Sequence, residues 1–302
     1  MVYSNKLLYG LVIVTYNRSS LLERCLQMLT ESDNFLYMKQ LYIVDNNSPD
    51  ATESVAEFFV SKYPNQITYL KLDENLGGAG GFETGCRRAF EDGIEWIGLL
   101  DDDVILDNNC LSTLYSYRNE KCLVAVREDT SGALAEFGAL KFDFSNPLRL
   151  NPKVSSIATS YANREEMPET LEVDSGSFEG FFVHRSVFEK IGFPHKEYFI
   201  FGDDTDFSIR VRKAGYKIWA IRDARIIRQL PFNRYQDSPW KTYYRWRNFF
   251  VLHFLYGENA FVRSKPYLMV FGLAAMSLLK LRHINAFGIL CDARKLASKI
   301  KK

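Results

Sequence analysis

Asp101, Asp102 and Asp103 stand in a row in LLDDDVILD, behind an apolar run that reads as a buried strand. Alternate side chains of a strand share a face, so Asp101 and Asp103 can point together while Asp102 points away. Two carboxylates facing one way repel each other unless a cation sits between them. An oxygen-only ligand set suits Mg2+ or Mn2+, which also bind phosphate oxygens. A solvated turn of capping acids is the plainer reading, and the apolar Leu99-Leu100 before it counts against it. A second group, GDDTDF at 202–207, puts Asp203, Asp204 and Asp206 at an expected helix start, where the helix dipole favours acids. Capping alone does not account for two adjacent acids among Phe199, Ile200, Phe201 and Phe207. A carboxylate with aromatic neighbours and little water holds its proton more tightly, which suits a general base.

These acids need elements to hold them. Apolar, β-branched runs predict strands over 8–18, 39–50, 66–75 and 95–103, and helical spacing predicts helices over 19–32, 51–63 and 83–94. Alternation of this kind implies an α/β fold, a mostly parallel sheet with helices on both faces. Ligands of such sheets bind beyond the carboxyl ends of the strands. Here those ends carry Thr15-Tyr16-Asn17, Asp45-Asn46-Asn47, Asn75 to Gly81, and the three aspartates. Gly77, Gly78, Gly80 and Gly81 in NLGGAGGF would let the backbone approach an anion closely, or would simply form a flexible turn. Tyr16 is placed either to stack on a nucleobase or to join the core. Asp45 either accepts from a base N–H or shapes its turn. Residues 104–175 read as short strands, turns and a long loop. A strand and a helix follow over 178–193, then a helix over about 205–214 with Gly215 as its cap.

Composition narrows the classes. The chain has 302 residues and a net charge of +1, so nothing global points to nucleic acid. Aromatic residues make up 15 %. The five cysteines, Cys25, Cys86, Cys110, Cys122 and Cys291, are widely spaced without a C-x-x-C. They read as reduced thiols of a cytosolic protein. The N-terminus lacks a signal-peptide layout. Neither G-x-G-x-x-G nor a P-loop fits, and His184, His195, His253 and His283 are scattered and taken as structural. PYLMVFGLAAMSLLK (266–280) has no charge between Tyr267 and Leu279, too short a run to span a bilayer. Lys280, Arg282, Arg294, Lys295, Lys299, Lys301 and Lys302 follow it. This pairing fits a helix on an anionic membrane surface, or one packed against the rest of the chain or a second copy.

Together VIVTYNR, VDNNSPD, LLDDDV and FIFGDDTDFSIRVRKAGYKIW resemble, in order, the family 2 inverting glycosyltransferases of GT-A fold, over roughly residues 8–250. NLGGAGGF and TYYRWRNFF (242–250), which contains a Tyr-Tyr-x-x-Arg-Asn stretch, resemble the galactofuranosyl- and rhamnosyltransferase branch. The resemblance implies a catalytic domain over 1–235, with a nucleotide half to about 103 and an acceptor half beyond it. A C-terminal helical region over 236–302 would follow. It implies a sugar nucleotide held by Thr15, Tyr16, Asn17, Asp45, Asn75, the four glycines and Asp102. Asp101 and Asp103 would hold Mn2+ or Mg2+, Asp204 would be the base with Asp203 beside it, and Gly180, Phe181 and Asp206 would lie on the acceptor side. Arg228 falls where such enzymes often place a metal-binding histidine, so the third protein ligand is unassigned. Arginine cannot ligate a cation but pairs bidentately with phosphate. Arg222, Arg225, Arg234, Lys241, Arg245 and Arg247 lie nearby, against Asp223 and Asp237. Galactofuranose from UDP-galactofuranose is the first donor implied and rhamnose from dTDP-rhamnose the second. The implied acceptor is a glycan, lipid-linked and at the cytoplasmic face of the membrane. A sugar nucleotidyltransferase is disfavoured by the glycine-free VTYNRSS. A non-catalytic binding relative and a homo-oligomer both stay open.

Overall fold

Apolar runs buried on both faces are what central parallel strands require. Tyr9–Thr15 (β1), Met38–Asp45 (β2) and Trp96–Asp101 (β4) supply them, and the half-buried Ile67–Lys71 (β3) forms the edge. In the computed structural model, which describes residues 9–230, 238–278 and 285–301, they pair in parallel in the order β3-β2-β1-β4. Each strand stops where turn formers begin, a few residues short of the expected limits. The crossovers are Ser19–Thr30 (α1), Thr52–Lys62 (α2) and Gly77–Glu91 (α3). Leu22, Cys25, Leu26 and Leu29 form the buried face of α1, the spacing read from sequence. α1 and α2 cover one face of the sheet and α3 the other, each over its own apolar core.

One boundary is corrected. The glycines of NLGGAGGF do not form a loop before a helix at 83; they are the first turns of α3. Glycine costs about 1 kcal/mol per site within a helix, and packing outweighs that here. A Cβ at Gly81 would lie 2.4 Å from Val14 Cγ1, and one at Gly85 2.3 Å from Val12 Cγ1. Their absence seats α3 directly on β1.

The remaining strands are Val104–Leu106 (β5), Cys122–Asp129 (β6), Ala139–Phe142 (β7), Lys153–Ser156 (β8), Thr170–Val173 (β9), Phe181–His184 (β10) and Ile218–Arg228 (β11). β10 enters antiparallel between β4 and β6, and β11 runs parallel to β6 with β5 and β9 antiparallel along it. β7 and β8 pair separately. The stretch 104–175 is therefore more ordered than a long loop.

Asp203–Lys213 (α4) starts at the first acid of its cluster. Pro239–Tyr256 (α5), Ala260–Leu278 (α6) and Ala286–Ile300 (α7) form a third core, in which Phe250, Leu273 and Ile289 join Ala79, Tyr198 and Ile209 of the main body. The expected boundary at 235 and Arg234, Asp237, Lys280, Arg282, His283 and Lys302 lie outside the described residues. All five cysteines are free. His184 caps the helix after it, accepting from Ser186 N–H, and His253 bonds the Phe249 carbonyl.

Candidate active site

Both acidic groups line one cleft of about 1400 Å³ at the carboxyl ends of β1 and β4. Asp101 to Asp103 reach it from the end of β4, and Asp203 and Asp204 from the first turn of α4. Alternation separates the first group as expected. Asp102 turns away and accepts from Thr15 Oγ1 at 2.7 Å and Arg18 Nη1 at 3.0 Å. Asp101 and Asp103 each offer a carboxylate oxygen to a shared point, and Glu179 offers a third; these atoms lie within 4.8 Å of one another. The sheet explains the convergence. β10 pairs antiparallel with β4, Phe181 opposite Leu99, and carrying that register two places further puts Glu179 across from Asp101.

Asp103 is 1 % exposed, yet neither of its oxygens accepts a hydrogen bond. Arg18 Nη1 and Arg228 Nε each lie 3.6 Å from Asp103 Oδ2. Glu179 pairs with the buried Arg127, and Arg228 Nε is 3.9 Å away. Burial, then repulsion from Glu179 and from the neighbouring aspartates, pushes Asp101 well above the usual carboxylate range. Burial and Glu179 also raise Asp103, against Arg228 and Arg18. Three hard oxygen donors crowded together, with the buried Asp103 lacking any hydrogen-bond donor, fit a divalent cation. Arg228 flanks this cluster, in which Glu179 is the third carboxylate that could hold a cation beside Asp101 and Asp103. Glu179 was missed in the sequence reading, where the lone acid in SFEGFF was its only signal.

In the second group, burial and then repulsion from Asp204 push Asp203 up to about 8. Burial also raises Asp204, but the Thr205 amide (2.6 Å) and hydroxyl (3.2 Å) donate to its Oδ1 and favour its ionised form. Of the two adjacent carboxyls, the one without these donors, Asp203, is the one favoured to carry a proton. The sign for stability follows. An unfolded Asp ionises near pH 4, whereas folded Asp203 keeps its proton to about 8. Folding then binds a proton across that window, and stability falls as pH rises through it. Asp203→Asn is neutral throughout. With EDTA present, its melting temperature should match the parent's near pH 4 and exceed it increasingly towards pH 8. A constant difference across that range would remove the assignment.

The sequence pattern of Glycosyl transferase family 2 matches residues 11–192, more than half of the chain. The chain is a family 2 glycosyltransferase. This glycosyltransferase is 27 % identical over 250 residues to galactofuranosyltransferase GlfT1 of Mycobacterium tuberculosis, covering 78 % of this chain and 79 % of that one. It is 30 % identical over 206 residues to GlfT1 of Mycolicibacterium smegmatis, covering 68 % and 65 %. Among solved structures, GalNAc-T7 with UDP, GalNAc and Mn2+ superimposes with a TM-score of 0.61 at 15 % identity. That match covers 80 % of this chain and 48 % of the other, so the glycosyltransferase spans about half that chain's length. The likeness supports the GT-A fold.

Of the other residues singled out, Thr15, Tyr16, Asn17, Asn75, Gly77, Gly78 and Arg228 line the glycosyltransferase's cleft. Tyr16 is 43 % exposed there and not in the core. Six others do not line it. Asp45 is fully buried: its oxygens accept from Ser48 N (2.9 Å), Ser48 Oγ (2.5 Å) and Tyr69 OH (2.7 Å). The next residue, Asn46, lines the cleft and accepts from Leu76 N–H. Gly80 and Gly81 face Leu76 and Val14. Gly180 backs onto Ala125 and Ile226, and Phe181 is core. Asp206 is spent on structure, bonded to Tyr198, Tyr256, Arg210 and His195, and is held below the usual range against the cost of burial. The cleft wall also carries an apolar set, Phe142, Phe144, Leu150, Leu252, Met269 and Leu273.

Proposed function

We propose that this glycosyltransferase transfers galactofuranose from UDP-galactofuranose to a hydroxyl of a lipid-linked glycan, inverting the anomeric centre. The observation that carries this reading is the cleft that both acidic groups and an apolar set of side chains line together. The similarity to GlfT1 supports the donor.

Tyr16 offers an exposed ring to a base, while Asp102 fixes Thr15 and Arg18 at the nucleotide end. Asp101, Asp103 and Glu179 would hold Mn2+ or Mg2+, which when bound neutralises charge on the departing diphosphate. Arg228, beside Asp103 and Glu179, adds a fixed positive charge there. The acceptor oxygen attacks C1 from the face opposite the diphosphate, as the C1–O bond to the diphosphate breaks. Asp204 takes the hydroxyl proton. The new bond then has the opposite configuration, by the displacement logic of inverting glycosidases.

The acceptor reading rests on the apolar part of the cleft wall and on α6, where Phe261, Leu268 and Phe271 are exposed beside the wall residues Met269 and Leu273. Among the described residues no helix is long and apolar enough to cross a membrane. Such a surface suits contact with a bilayer that presents the acceptor.

Nucleoside diphosphate release tests the proposal, with UDP-galactofuranose and dTDP-rhamnose as donors and a polyprenyl-linked glycan in anionic vesicles as acceptor. UDP release that depends on acceptor and vesicles is expected. Release from dTDP-rhamnose alone would replace the donor, and no release from either would remove both donors.

A further inference from the structure

Between Tyr198 and Asp203 the backbone takes a path that L residues rarely follow. Phe199 (φ 63°, ψ −61°) centres a γ-turn closed by Ile200 N donating to Tyr198 O at 2.7 Å. A turn of this sense is rare and strained. Phe201 (φ 67°) and Gly202 (φ 81°) follow, so three of the four residues before Asp203 have positive φ. Bulky side chains disfavour that region. Such conformations persist only where their surroundings over-determine them, and they gather at functional sites.

The Tyr-Tyr-x-x-Arg-Asn stretch of α5 supplies those surroundings. Asn248 is 1 % exposed, and its Nδ2 donates to the carbonyls of Tyr198 (2.9 Å), Ile200 (2.8 Å) and Phe201 (2.7 Å). Arg247 Nη2 donates to the carbonyls of Glu197 and Tyr198, both at 2.8 Å. The Tyr244 ring stacks on Phe199 at 4.7 Å, with the Arg247 guanidinium 4.6 Å from its centre. Tyr243 OH ties the helix to Asp292 of α7 at 2.9 Å. From the other side, Ala79 N donates to Phe199 O at 3.1 Å. Gly77 makes room for that carbonyl: a Cβ there would lie 2.1 Å from it. Two motifs far apart in sequence thus meet at Phe199, the glycine motif on its carbonyl and the α5 motif on its ring and on the residues either side.

We infer that Arg247 and Asn248 are positioning residues, which hold 198–202 in its strained path and so set where Asp203 and Asp204 present their carboxylates. Helix α5 then belongs to the catalytic apparatus. This rests on the reading of Asp204 as the base.

Asn248→Ala and Arg247→Lys, measured beside Asp204→Asn, test it through kcat, donor KM, UDP binding by calorimetry and melting temperature. Relaxation of the loop misplaces the acids by a fraction of their reach, and a shift on the order of 1 Å costs about 10²-fold. Asn248→Ala should lose about that much in kcat, with donor KM and the UDP-binding fraction unchanged. Arg247→Lys keeps one donor and should lose less. A wild-type kcat in Asn248→Ala, or a fall in kcat matched by an equal fall in the UDP-binding fraction, would overturn the inference. If Asn248→Ala does not fold, Arg247→Lys decides: reduced kcat with full UDP binding supports the clamp, and unchanged kcat ends it. Full activity in Asp204→Asn would remove the base reading instead; a kcat loss in Asn248→Ala beside it would still assign the clamp, acting through Asp203.

Discussion

Asp204→Asn should lower kcat by about 10²–10⁴-fold, the range for loss of a well-placed general base, while UDP binding stays as in the parent. The amide keeps the size of the side chain and can still accept from Thr205, whose amide and hydroxyl donate to Asp204 Oδ1. What it lacks is a site for the acceptor's proton. The effect should therefore fall on kcat and spare donor KM, because the interaction lost is made as the hydroxyl attacks and not when the donor binds. Steady-state kinetics with calorimetry for UDP separates the two. Near-parental turnover with intact UDP binding would assign the base elsewhere, with Asp203 the first candidate. It lines the same cleft, but could take the proton only once it has lost its own, so activity would then rise with pH towards about 8.

Stripping divalent metal should abolish turnover, and Mn2+ should restore it. Asp101, Asp103 and Glu179 bring three carboxylates to one point, with both Asp103 oxygens buried and without a hydrogen-bond donor. Arg18 and Arg228 approach Asp103 only to 3.6 Å. Side chains that orient a metal ligand typically contribute 10–100-fold in affinity. Loss of a direct ligand should cost at least about 10²-fold. Glu179→Gln and Asp103→Asn should each weaken Mn2+ binding that much, read as free Mn2+ by electron paramagnetic resonance without any turnover. Full activity after exhaustive chelation, together with unchanged Mn2+ binding in both variants, would show that arginines alone carry the diphosphate charge.

How the site was legible differs residue by residue. The split between Asp102 and its neighbours was readable because side chains alternate along a strand whatever the strand packs against. Thr15, Tyr16 and Asn75 were readable because ligands of parallel sheets gather at the carboxyl ends of strands. Glu179 was not, since nothing local marks it; it meets Asp101 only because β10 runs antiparallel beside β4. Asp45 was misplaced for a related reason. Polar residues at a strand end can face the cleft or shape the turn, and Ser48 and Tyr69 claim both its oxygens. In NLGGAGGF the composition suggested a loop, whereas close packing on Val12 and Val14 makes it helix.

Local pattern alone determined the α/β class, the alternation of elements, the two acidic groups and the family they belong to, because periodicity and short motifs are properties of neighbouring residues. Tertiary structure decided which of those groups meet. The insertion of β10, the seating of α3 on β1 and the grip of α5 on the 198–202 turn are contacts between segments distant along the chain. Their register is set by the packing of whole surfaces, and no stretch of a few residues carries that information.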